Sequence, residues 1–120
     1  MAGLEPLFLV QTAVGAFLFG LGAYVCFRWR VFWMRNYTGR LLTGGPYAWV
    51  RHPFYAGFLA LVIGLAVLIP MLETIMLAVF SVGVILFYVR KEEEWLVSRY
   101  GRAYREYMKK VPWRLVPRVY

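Results

Sequence analysis

An all-α integral membrane fold, three membrane helices followed by a basic amphipathic helix, is what three features of this 120-residue sequence predict. The chain is 62% hydrophobic and 19% aromatic, well above the apolar share of a soluble domain. Its uncharged residues fall in three long runs. All 14 lysines and arginines fall outside those runs, in segments 28–51 and 90–118.

The first run, Leu7 to Phe27, holds 21 residues without a charge. As a helix it is about 31 Å long, enough to cross a hydrocarbon core of about 30 Å. No basic residue precedes it and it exceeds a secretory signal core, so it reads as a mature membrane helix. After it, Trp29, Trp33 and Trp49 alternate with Arg28, Arg30, Arg35, Arg40 and Arg51. Amphipathic rings and snorkelling arginines suit a headgroup layer, so 28–38 reads as a helix end running into interfacial chain. Gly44, Gly45 and Pro46 mark a turn.

The second and third runs, Pro53–Leu72 and Thr74–Val89, are separated only by Glu73, with Pro70 just before it. They read as a tight antiparallel hairpin. The expected spans are therefore about 7–27, 53–70 and 72–89 of a single domain, 1–120. Ala56, Ala60 and Gly64 recur every fourth residue, as a helix needs for a close neighbour, and the hairpin partner is the expected one. Ala16, Gly20 and Ala23 form a similar stripe on the first helix.

Three spans put both basic segments on one face. The positive-inside rule then makes loop 28–52 and tail 90–120 cytoplasmic and leaves the N-terminus outside, in a bacterial inner membrane or an endoplasmic reticulum. The net charge of +8 thereby follows from topology and from attraction to anionic lipid, and no nucleic-acid partner is expected. In the tail, Leu96, Tyr100, Ala103, Tyr104, Tyr107 and Val111 form one apolar stripe of an amphipathic helix, which stops before Pro112. Cys26 is the only cysteine, so neither a disulfide nor a cysteine metal site is expected. The pair of glycines in "GLG" at 20–22 lies inside a spanning helix, without the strand-to-helix context of a soluble nucleotide fold.

Two polar clusters remain: Tyr47, Arg51, His52 and Tyr55, and Arg90, Lys91, Glu92, Glu93 and Glu94. A hairpin of two spans brings residue 52 close to residue 90. Read singly, the first cluster is headgroup anchoring with Pro53 at a helix start, and the second is a solvated segment with an ordinary Arg90–Glu94 pair. Three successive glutamates at a boundary that otherwise gathers positive charge point instead to holding a cation.

"GPYAWVRHPFYAG", a hydrophobic hairpin, and then "RKEEEWLVSRYGRAYREYMKKVPWRLVP" together resemble the isoprenylcysteine carboxyl methyltransferase and phospholipid methyltransferase superfamily of integral membrane enzymes. The resemblance covers about residues 39–117. It implies S-adenosylmethionine bound at the cytoplasmic boundary by Gly39, Arg40, Leu41 and Leu42, by Tyr47, by His52, Pro53, Phe54 and Tyr55, and by Glu94 with Glu93 beside it. It also implies Arg90 as the residue for the methyl acceptor, Arg90 and Glu94 as the residues at the chemistry, and no metal. Such a cofactor carries an ammonium, a sulfonium, a carboxylate and an adenine, which match carboxylates, backbone donors and tyrosine rings. The acceptor is expected to be lipophilic and to arrive through the bilayer. Relatives usually have further spans, so this chain either leaves the site open to lipid or completes it as a homo-oligomer. Open alternatives are a phospholipid amine or small thiol as acceptor, an NADPH-dependent sterol-type reductase, which shares an RHPxY-like element, and a non-enzymatic membrane scaffold.

Overall fold

A computed structural model describes residues 5–120; residues 1–4 of the expected domain lie outside it. Among the described residues every regular element is helical: α1 (Glu5–Asn36), a 3-10 turn (Gly45–Ala48), α2 (Pro53–Leu68), α3 (Leu72–Tyr100) and α4 (Arg102–Lys110). The molecule measures 60 × 26 × 24 Å.

At 32 residues, α1 runs well past the apolar stretch at 7–27 and absorbs most of the segment expected as interfacial chain. Nothing between Phe27 and Asn36 breaks a helix, and rings spaced by four residues stack along it, Trp29 on Trp33 at 5.5 Å and Trp33 on Tyr37 at 4.0 Å. Asn36 Nδ2 donates to the Phe32 carbonyl at 2.9 Å, and Gly39, at φ +87°, turns the chain away. α2 opens on Pro53, whose missing N–H is no loss in a first turn. It ends two residues short of the expected 70, before Ile69 and Pro70. Thr74 Oγ1 ties the reversal by donating to the Ile69 carbonyl at 2.6 Å and accepting from the Met71 N–H at 3.0 Å. α3 continues without interruption through Arg90 to Tyr100, and Gly101 at φ +57° separates it from α4.

α1 and α3 are long and apolar enough to cross a membrane. α2, at 16 residues, is shorter than a full span, about 24 Å against about 30 Å.

The small-residue packing falls elsewhere than the sequence suggests. α2 packs more extensively on α1 than on its hairpin partner α3. The close approach uses Gly15 and Gly22 of α1 with Gly57 and Gly64 of α2, two antiparallel sets with the same seven-residue spacing. Gly22 lies against the Gly57 carbonyl and Leu61, and Gly64 lies against the α1 backbone at Leu18 and Phe19. Of the expected residues only Gly64 lies in this seam: Ala16, Gly20 and Ala23 are exposed, and Ala56 packs toward Ile85, Val89 and Leu115. The seven-residue period wins because two full turns return a residue to the same face within about 20°.

A side chain at Gly22 has no room, whereas Gly20 has no neighbour within 4 Å. Gly22→Val is expected to destabilise the protein by about 1–3 kcal/mol or more in thermal unfolding in detergent, with Gly20→Val close to wild type. Equal effects at the two positions would contradict this helix register.

Candidate functional site

The three glutamates of α3 point three ways, because successive helical residues are turned by about 100°. Glu93 points inward and is 6% exposed. Its Oε2 is 3.0 Å from His52 Nε2, 2.9 Å from Arg51 Nε and 3.3 Å from Tyr104 Oη; its Oε1 is 2.8 Å from Arg114 Nε. The Arg51 Nε contact is an ion pair off the N–H axis, which leaves that nitrogen buried without a hydrogen bond. Burial pushes the Glu93 carboxyl up, but the His52 hydrogen bond and the charges of Arg51, His52 and Arg114 outweigh it and hold the group below its usual range. Burial, reinforced by the Glu93 charge, pushes the Tyr104 phenol well up, so Tyr104 stays a donor.

This cluster joins three parts of the chain. Arg51 and His52 close the turn before α2, Glu93 lies on α3, and Arg114 follows α4. The backbone joins them as well: the Arg51 and His52 N–H groups donate to the Trp113 and Arg114 carbonyls, each at 2.9 Å. Leu115 then packs on Ile85 and Val89, while Tyr104, Tyr107 and Val111 form a second core with Leu41 and Tyr47.

Glu92 accepts a hydrogen bond from Tyr55 Oη at 2.8 Å. Tyr47 is held at both ends: its hydroxyl accepts from Trp29 Nε1 at 2.7 Å and its carbonyl accepts from Tyr107 Oη at 2.6 Å. Burial raises the Tyr47 phenol, and the Glu92 charge adds to this. Phe54 turns toward α1, its ring 4.8 Å from that of Trp29. The Gly39 carbonyl accepts from Tyr100 Oη at 3.1 Å, which fixes the segment Gly39–Leu42 near the end of α3; Arg40 is exposed there, and Leu41 packs inward.

Arg90 and Glu94 line a polar cavity of about 480 Å³ together with Glu93, Val97 and Arg114. The simple i,i+4 ion pair between Arg90 and Glu94 is not formed, and Glu94 has no ion pair with any described residue. Glu93 lines that cavity too, but its carboxylate is already met by the guanidiniums of Arg51 and Arg114 and by the His52 imidazole, which leaves Glu94 as the carboxylate open to a ligand's cations. A second, apolar groove of about 1170 Å³ runs along α1 and α2 from Leu18 and Ala60 to Trp49 and Pro117. The two cavities are adjacent along the chain. Val50, Pro53 and Leu115 line the groove, and their neighbours Arg51, His52 and Arg114 hold Glu93.

The structure thus gathers Tyr47, His52, Tyr55 and Arg90 to Glu94 around one end of the α2–α3 hairpin and leaves Phe54 to the helix packing. Trp29, Tyr104, Tyr107 and Arg114 join the site unannounced. The spacing of Tyr104 and Tyr107 marks an apolar face, but nothing in the sequence says that a hydroxyl on that face meets a carboxylate.

Removing the Glu93 carboxylate leaves Arg51 buried without its partner, so Glu93→Ala is expected to destabilise the fold by about 3–5 kcal/mol. The Glu93 carboxyl titrates lower in the folded chain than its ordinary 4.5. Its contribution is therefore full above that value and is lost as pH falls through the lower folded value. Thermal unfolding between pH 7 and pH 3 should show this acid loss in wild type and a flatter profile in Glu93→Gln. Parallel profiles would contradict the assignment.

The Isoprenylcysteine carboxyl methyltransferase (ICMT) family model matches residues 5–98. The chain is 40% identical over 81 residues to the Protein-S-isoprenylcysteine O-methyltransferase of Schizosaccharomyces pombe, covering 65% of this chain and 34% of that protein. It is 37% identical over 76 residues to Protein-S-isoprenylcysteine O-methyltransferase B of Arabidopsis thaliana, covering 61% and 38%. It is also 34% identical over 90 residues to a Delta(14)-sterol reductase of Mus musculus, covering 69% and 21%. The chain therefore spans between about a fifth and two fifths of the length of these relatives. With the family model matched over most of its length, the chain belongs to the isoprenylcysteine carboxyl methyltransferase family.

Proposed function

We propose that the chain is a membrane methyltransferase that uses S-adenosyl-L-methionine on a lipophilic acceptor at the bilayer boundary, most like isoprenylcysteine carboxyl methylation. One observation supports this above the others: a polar cavity with an unpaired carboxylate and a long apolar groove are lined by consecutive residues of the chain, Arg114 in the one and Leu115 in the other. In the proposed reaction the water-borne reactant takes the polar side of this segment and the lipid-borne one the apolar side. In this reading α1, α2 and α3 are three spans, with the short α2 accommodated by local thinning of the bilayer. Both basic segments then lie on the cytoplasmic side.

The residues present fit the cofactor. Glu94 offers a carboxylate with no ion-pair partner among the described residues, as the ligand's cations require. Tyr47 and Tyr55 offer ring faces held in place by Trp29, Tyr107 and Glu92. Gly39 to Leu42, His52 and Pro53 lie beyond the lining of the polar cavity itself and are further residues of the proposed site. Phe54 supports it through Trp29, and Glu93 acts as the positioning residue that fixes the turn before α2. When bound, the cofactor supplies an electrophilic methyl on a sulfonium. Arg90 orients the acceptor's anionic group, and alignment of the reactants alone is worth about 7–11 kcal/mol. Apolar walls exclude water, which favours a step in which opposite charges neutralise each other.

An amine acceptor needs a base. His52 Nε2 is already committed to Glu93 at 3.0 Å, so for an amine a glutamate such as Glu94 would have to serve, whereas a carboxylate or thiolate acceptor needs no base. The identity with a sterol reductase supports a second reading, an NADPH-dependent reductase on the same boundary scaffold.

Calorimetric titration of S-adenosylhomocysteine into the chain in nanodiscs separates these readings. Saturable binding is expected, weakened about tenfold or more by Glu94→Ala, the loss of one charge-assisted contact. Arg90→Ala should change this affinity by less than about twofold, since it acts on the acceptor. NADPH binding in its place would establish the reductase, and wild-type affinity in Glu94→Ala would remove Glu94 from the site.

A further inference from the structure

The segment 114–117 borders both cavities. Arg114 lines the polar one with Arg90 and Glu94, and Leu115, Val116 and Pro117 line the apolar groove. Arg114 commits Nε to Glu93, and its Nη1 donates to Tyr120 Oη at 3.0 Å. Its guanidinium carbon also sits 5.6 Å from the Tyr120 ring centroid. Tyr120 is folded back onto the arginine by a turn: its backbone oxygen accepts from the Arg114 and Leu115 N–H groups, its own N–H donates to Val116 at 3.0 Å, and Arg118 takes φ +63°. The Arg114 hydrogen bond, with smaller contributions from the Arg114 charge and from Arg90, holds the Tyr120 phenol below its ordinary range. The phenol oxygen thus sits on the Arg114 guanidinium, and Arg90 lines the same cavity as that guanidinium. A carboxylate offers two charged oxygens and a bidentate fit to a guanidinium, where the phenol offers one oxygen.

We propose that Arg114 shares with Arg90 the carboxylate of the methyl acceptor, and that the Tyr120 hydroxyl occupies that place until the acceptor displaces it. The inference rests on the methyltransferase reading and deepens it. A lipophilic tail in the groove meets Leu115 to Pro117 while its anionic head meets Arg114, so both ends of one acceptor act on one segment. The device selects for an anionic head: a neutral head gains nothing by displacing the phenol.

The test is equilibrium binding of an S-farnesylcysteine acid and of its methyl ester to the full chain in nanodiscs with S-adenosylhomocysteine present, for wild type, Tyr120→Phe and Arg114→Gln. Tyr120→Phe is expected to tighten the acid about tenfold, the size of one such hydrogen bond, and to leave the ester within about twofold. Arg114→Gln should lower the acid-to-ester preference about tenfold. Because Arg114 also holds Glu93, its variant is read only through that ratio, which a loosened fold does not shift. Equal changes for acid and ester, an unmoved ratio, or no binding of the acid to wild type would overturn the inference. Failure of S-adenosylhomocysteine to bind any of the three proteins would instead overturn the methyltransferase reading beneath it.

Discussion

A buried carboxylate is the constraint on which the rest of this site depends. Glu93 alone inside the protein would be untenable, since an isolated charge is too costly to desolvate and would be neutralised by a proton. Arg51, His52 and Arg114 make it tenable, and Tyr104 contributes a further donor. The same requirement pulls on the chain. To bring two guanidiniums and an imidazole to one point of α3, the turn before α2 and the segment after α4 must both fold back onto that helix. Every residue of the polar cavity and the near end of the apolar groove is positioned by that convergence. Such a cluster gives little net stability compared with well-packed apolar side chains, but its geometry is specific, because each missing partner is strongly penalised.

The helices provide the frame that the cluster closes. Four glycines let the backbones of α1 and α2 meet, and the stacked rings of Trp29, Trp33 and Tyr37 extend α1 beyond the apolar stretch. That extension brings Trp29 level with Tyr47 and Phe54. Packing within the apolar layer and the ring geometry of the boundary are therefore linked through one continuous helix. Between helices in lipid there is little hydrophobic gain from association, so close backbone contact carries much of the specificity.

Much of this was legible in the residues. Uncharged runs located the apolar helices, the proximity of residue 52 to the 90s followed from a short hairpin, and the tail's apolar stripe identified Tyr104, Tyr107 and Val111 as inward facing. Three things were not. Which of three adjacent glutamates is buried depends on what packs against α3, and the sequence does not say that Arg114 returns there. The register of α1 on α2 was masked by an alternative run of small residues with a four-residue period, when the seam follows seven. Arg90 and Glu94 have the spacing of an ion pair, yet each faces the cavity, because spacing permits a pair without requiring one.

Arg90 and Glu94 line a polar cavity, and the chain neighbours of the Glu93 cluster line an apolar groove, which leads to one central proposal, that a methyl group passes here from a water-borne donor to a lipid-borne anion. The most direct measurement supplies the reconstituted chain with S-adenosylmethionine labelled in the methyl group and an S-farnesylcysteine acid, extracts the lipid phase, and treats it with base. Label is expected in the extract, and base should release it as volatile methanol, the signature of a methyl ester. Label that base does not release would point to a nitrogen or sulfur acceptor, and an unlabelled extract from a chain that binds the donor would contradict the claim.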